Sequence, residues 1–118
     1  MGIKNRRFTY KGQIKISSSD MSLLQEGRKR CTVRVGIIDV NGTDLFMTDG
    51  KQRVKIRIFE VDNHRVYREL TNEDAKDEGF SSLEELQKDL SKYYGKIDPE
   101  QPVTVIRFEA EKGDILNF

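Results

Sequence analysis

The chain is 118 residues long, a length for one compact domain with its own core, and no Pro/Ser-rich linker divides it. Apolar residues make up 36% and charged residues 35%, a globular but polar composition; the single cysteine excludes an internal disulfide framework, and no apolar run approaches the roughly 18 residues of a spanning helix. The start Met1-Gly2-Ile3-Lys4-Asn5-Arg6-Arg7 lacks the apolar stretch of a signal peptide, so the expectation is a cytoplasmic protein without a membrane partner, one domain over residues 1–118 with its core at about 8–110.

A formal net charge of +1 conceals an asymmetry: residues 1–59 hold 13 Lys/Arg against 5 Asp/Glu, and residues 60–118 hold 8 against 15. As one surface the basic half can meet a phosphate backbone; interleaved in a sheet, the two halves neutralise each other.

Residues 8–16 alternate apolar and polar side chains on both sides of Lys11-Gly12, the pattern of a hairpin or a bent strand. Ser19 or Asp20 then offers an N-cap oxygen to a short helix carrying Met21, Leu23 and Leu24, and Gly27 suits the position just past its end. A strand over 30–35 follows, with Cys31, Val33 and Val35 toward the core and Arg30, Thr32 and Arg34 on the other face. Asn41-Gly42 reads as a turn, and Asp49-Gly50 as a hairpin joining 45–48 to the alternating run 52–59. In that run Val54, Ile56 and Ile58 share a buried face, opposite Arg53, Lys55 and Arg57. Asp62-Asn63 turns the chain again into residues 64–70.

Thr71 with Asp74 forms a capping box for a short helix ending near Glu78-Gly79, and Ser82 with Glu85 repeats the signal. The second helix carries Leu83, Leu86, Leu90 and Tyr93 as a core-facing stripe and closes at Gly95. A final strand spans 103–109, after Pro102. Strands and helices do not alternate as βαβ units, so the expected class is α+β, a small mixed barrel with short flanking helices.

The densest chemistry is Gly27-x-Lys29-x-x-Thr32-x-Arg34, an amine, a hydroxyl and a guanidinium beside a glycine turn. This motif resembles the signature of ASCH domains, which have a PUA-like β-barrel fold. The likeness extends over 14–109, through Glu78-Gly79-Phe80, Ser82-Leu83-Glu84-Glu85-Leu86, Tyr93-Tyr94 and Val103-Thr104-Val105-Ile106-Arg107-Phe108-Glu109. Many ASCH members carry glutamate where this chain has Thr32. The threonine version is similar to small bacterial ASCH amidohydrolases that remove the acetyl group of N(4)-acetylcytidine with a lysine, a threonine and a later glutamate.

The resemblance implies Lys29, Thr32 and Glu78 as catalytic residues, with Asp77 or Glu73 as alternative acids depending on alignment. Thr32 would attack the acetyl carbonyl and Lys29 would take its proton, a role that an amine with a reference pKa of about 10.4 performs only when deprotonated. Glu78 would orient the lysine, shuttle a proton or bind the substrate amine. Arg34, which does not deprotonate, is assigned to substrate binding with Gly27 and Arg30 of the same motif.

A nucleoside or RNA is the expected partner; a non-catalytic RNA-binding module is the alternative, and a ribonuclease a third reading. Arg53, Lys55 and Arg57, with Lys4, Arg6, Arg7, Lys11 and Lys15, are candidates for RNA backbone contacts, and each is equally an ordinary solubilising face. Cys31 should be a small buried hydrophobe. One histidine, His64, and one cysteine cannot build a zinc site, so neither metal nor cofactor is expected.

Overall fold

The computed structural model describes residues 7–111; Lys4 and Arg6 lie outside them. The elements run β1 (Arg7–Lys15), α1 (Ser18–Gln25), β2 (Cys31–Val35), β3 (Ile37–Thr48), β4 (Arg53–Val66), a 3-10 turn (Tyr67–Glu69), α2 (Asn72–Glu78), α3 (Leu83–Tyr94) and β5 (Pro102–Ala110). The strands form one mixed sheet in the order β1-β3-β4-β5-β2, parallel only between β1 and β3, curled into a half-barrel. This is the expected α+β class. Among the described residues no helix is long and apolar enough to cross a membrane.

Strand β5 lies inside the sheet and is buried on both faces. Its Ile106 and Phe108 join a core with α1 and the inner faces of β3 and β4, which includes Val54, Ile56 and Ile58. On the other face Val103 and Val105 join Cys31, Val33 and Val35 of β2 in a second core, capped by Ala75 of α2 and by Leu86 and Leu90 of α3. A strand wetted on neither side reads as a continuous apolar run, as 103–108 nearly does.

Several local expectations shift. Residues 8–16 are a bent strand rather than a hairpin: β1 pairs with β3 on both sides of a register break between Lys11 and Gln13. The same break absorbs Asn41-Gly42, which is an irregularity inside β3 and not a turn, because Lys11 pairs with Asn41 and Gln13 next pairs with Phe46. Asp62-Asn63 likewise interrupts the register of β4 with β5 without ending the strand. Asn63 Nδ2 there donates to the Ile38 carbonyl at 3.1 Å, which ties the irregularity to β3. The cap of α1 is Ser17, whose hydroxyl accepts from the Asp20 amide at 3.1 Å, two residues before Ser19 and three before Asp20. The Asp49-Gly50 hairpin forms, with Thr48 paired to Arg53.

Helix α2 has the capping box expected of Thr71 and Asp74. Helix α3 starts at Ser82 and closes at Gly95, but its apolar stripe continues through Tyr94, which packs on the second core, while Tyr93 stays 66% exposed.

Candidate functional site

Two helix ends create the site. At the end of α1 the Gly27 amide donates to the Leu24 carbonyl and the Arg28 amide to the Leu23 carbonyl, a Schellman pair that needs the positive φ of 77° at Gly27. At the end of α2 the Gly79 amide donates to the Lys76 carbonyl and the Phe80 amide to the Ala75 carbonyl, the same pair, with φ 104° at Gly79. The first turn folds Lys29 inward, and the second stops α2 just after Glu78. Leu23 packs against Gly79, so the two turns touch.

Lys29 and Glu78 are 2% and 6% exposed, and Lys29 Nζ donates to Glu78 Oε1. The second carboxylate oxygen, Oε2, accepts the Val33 amide at 2.6 Å. That amide lies on the edge of β2 not paired with β5, where a strand N–H without a partner would be costly. Burial pushes the Glu78 carboxyl above its ordinary value, against the pull of the Lys29 ammonium and the Val33 amide. The alternative acids sit elsewhere: Glu73 is exposed, and Asp77 accepts from Arg30 Nη2 at 2.9 Å on the outer side.

Thr32, 2% exposed, is next to Val33, and its Oγ1 accepts from Arg34 Nε at 2.9 Å. Arg34 also donates through Nη2 to the Lys15 carbonyl at 3.1 Å and lies 5.7 Å from the centre of the Tyr10 ring. It therefore bridges β2 and β1, the two outer strands of the sheet.

Thr32, Arg34 and Glu78 line a cavity of about 420 Å³ whose other walls include Lys15, Asp20, Asp89 and Tyr93. This falls in the size range of small-molecule sites. Lys29 is not itself a lining residue and reaches the cavity through Glu78; an alcohol held by a guanidinium, at a cavity that also presents an acid paired to a buried amine, can exchange protons and stabilise charge on a bound carbonyl.

Gly27 and Arg30, assigned from the motif to substrate binding, lie outside this cavity, in a shallow hollow shared with Arg28 and Lys76. Gly27 acts through backbone geometry, and Arg30 is held outward by Asp77. Arg53, Lys55 and Arg57 stand on the outer face of β4, away from the cavity lining; Arg53 stacks 4.2 Å from the centre of the Phe46 ring, and Arg57 is 3.5 Å from Asp44. Cys31 is fully buried, and burial pushes its thiol up, so it is inert as a nucleophile. Asp20, Asp89 and Tyr93 are cavity residues that the motif does not contain. In the sequence Asp20 reads as an N-cap candidate and Tyr93 as part of the core-facing stripe, while Asp89 carries no signal. No group of three His, Cys, Asp or Glu side chains able to hold a metal occurs among the described residues.

The same fold occurs in the ASCH domain of Lactobacillus crispatus, with a TM-score of 0.67 at 15% identity over 91% of this chain and 81% of that one. The hypothetical protein PH0355 is similar, with a TM-score of 0.60 at 14% identity over 90% of this chain and 100% of the other. A protein from Enterococcus faecalis shares the fold with a TM-score of 0.57 at 19% identity, covering 90% of this chain and 79% of that one. No family model and no curated protein matches the sequence. These likenesses define the class: an α+β protein with an ASCH-like fold.

Proposed function

We propose that the cavity binds a cytidine-like nucleoside and hydrolyses an acetyl group from its exocyclic amine, with Thr32, Lys29 and Glu78 as the reacting groups. The observation that carries this reading is the buried Lys29–Glu78 pair, anchored through Val33 beside a hydroxyl that faces a ligand-sized cavity. Proton carriers removed from water and held beside an alcohol suit acyl transfer.

In this reading Thr32 Oγ1 adds to the acetyl carbonyl carbon, and its proton passes to the Lys29–Glu78 pair. Arg34, already a donor to that oxygen, offsets the charge gathering on the tetrahedral intermediate. The carbon–nitrogen bond breaks as the pair returns the proton to the departing amine, leaving acetyl-threonine. Water then adds to that ester, gives its proton to the same pair and releases acetate and the free hydroxyl. The raised Glu78 carboxyl suits a group that must hold a proton for part of this cycle.

Incubation of the purified protein with N(4)-acetylcytidine, followed by chromatography, is expected to show cytidine. Thr32→Val keeps the branched shape and should lower kcat by about 100-fold or more with the fold intact. Absence of cytidine with the wild-type protein, or full activity in Thr32→Val, overturns the reading.

A second reading, a non-catalytic RNA-binding module, is favoured by the cationic face of Arg53, Lys55 and Arg57 on β4. It predicts binding of single-stranded RNA whose affinity falls with salt by a log–log slope of about 0.7 per phosphate contact, flattened when the three are changed to Gln. A slope unaffected by those changes overturns it.

A further inference from the structure

Two features of α3 are used neither by the core nor by the reacting groups. Tyr93 is a large ring left 66% exposed at the cavity wall. Asp89, one turn earlier on the same flank, is a half-buried carboxylate that makes no hydrogen bond or ion pair among the described residues. Both line the cavity that holds Thr32 and Arg34.

The cavity is chemically two-sided. Its sheet side offers the Arg34 guanidinium, with Lys15 at the wall, while its helix side carries Asp89 and, from α1, Asp20. An ionised carboxylate only accepts hydrogen bonds, so the helix side calls for a ligand end rich in O–H or N–H groups. The donor side calls for carbonyl oxygens. Burial and the facing Asp20 push the Asp89 carboxyl up, with Lys92 and Lys29 the cations that oppose this. Two like charges set against one space are relieved by a ligand that donates to both.

We propose that Asp89 and Tyr93 form the nucleoside-reading edge of the cavity, the Tyr93 ring stacking on the base and the Asp89 carboxylate, aided by Asp20, accepting hydrogen bonds from the ribose hydroxyls. The assignment rests on the nucleoside reading above and adds to it which end of the ligand lies where: acyl carbonyl toward Thr32 and Arg34, sugar toward α3. An exposed aromatic ring stacks on a base with little sequence preference, so specificity for the sugar falls to the carboxylate.

The test compares N(4)-acetylcytidine with its 2′,3′-dideoxy analogue in the wild-type protein and in Asp89→Ala. For wild type, loss of the hydroxyls should raise KM about 10-fold and leave kcat within about 2-fold, the size of a charge-assisted hydrogen bond. In Asp89→Ala the two substrates should have equal KM, a coupling that a purely structural aspartate does not produce. Tyr93→Ala should raise both KM values together, and Tyr93→Phe should restore them. Equal KM values for the two substrates in wild type, a 10-fold gap that survives Asp89→Ala, or unchanged KM values in Tyr93→Ala overturn the assignment. Calorimetric binding of cytidine and 2′,3′-dideoxycytidine separates this from the fate of the reaction. If neither acetyl compound is hydrolysed, the reaction fails, yet an Asp89-dependent gap in Kd still upholds the edge. Equal Kd values, or no binding of either at millimolar concentration, overturn it.

Discussion

Lys29 and Glu78, 49 residues apart in the chain, form an ion pair in which both side chains are almost wholly removed from water. Two charges in such a place each cost several kcal/mol of desolvation, so neither is tolerable without the other. Lys29→Met should therefore destabilise the fold by about 3–5 kcal/mol, read as a fall in urea midpoint. Adding Glu78→Leu should recover part of that loss but not all, because the Val33 amide then lacks its acceptor. A single variant as stable as wild type would refute the buried pair.

Asp74 gives the pH dependence at the acid end. Burial alone would raise its carboxyl, but Arg65, the Thr71 amide and Arg107 together hold it at about 2, against an ordinary 3.8. A depressed carboxyl stabilises fully above its unfolded value, and the benefit is lost as the pH falls through the folded one. Unfolding free energy should thus drop between about pH 4 and pH 2, and Asp74→Asn should be less stable at neutral pH with a shallower decline in that window. Glu78 tilts the other way: its raised carboxyl favours the fold below 4.5 and the benefit is lost as the pH rises through its folded value. A profile for Asp74→Asn parallel to that of wild type would contradict the assignment.

Gly79 closes α2 with φ 104°, and a Cβ there would meet Leu23 Cδ1 at 2.9 Å. Gly79→Ala should cost about 1–3 kcal/mol from the backbone conformation alone, seen as a lower Tm. Because the same turn ends the helix directly after Glu78, turnover of N(4)-acetylcytidine should fall as well. An unchanged Tm would mean that the turn can relax.

Arg34 joins the two outer strands by donating to Thr32 Oγ1 and to the Lys15 carbonyl. Arg34→Lys should not substitute, since one ammonium does not reproduce a rigid fork with two directed donors. Hydrogen exchange over residues 13–16 should quicken in Arg34→Lys and in Arg34→Met, with a stability loss of about 1 kcal/mol. Exchange rates equal to wild type in both variants would remove the bridging role.

Much of the molecule is legible from short-range pattern. The Thr71–Asp74 capping box, the Ser82 cap, the Asp49-Gly50 hairpin and the alternation of Val54, Ile56 and Ile58 all depend on residues within a few positions of each other, and each forms as read. Two of the misreadings share a cause. Asn41-Gly42 and Asp62-Asn63 carry turn residues, but neighbouring strands recruit them into register irregularities, and which strand lies alongside is a long-range outcome.

The sequence by itself determined the element types, the ends of α2 and α3 and the inward face of Cys31, because period-two and period-3.6 burial and capping chemistry act locally. Only the tertiary structure decided which of four nearby acids meets Lys29. Asp74 turns to Arg65 and Arg107, Asp77 to Arg30, Glu73 to solvent, and Glu78 to the amine. That choice depends on β2 docking on β5 and on α2 crossing it at one rotation, and a helix rotated by one residue would present a different carboxylate about 100° away.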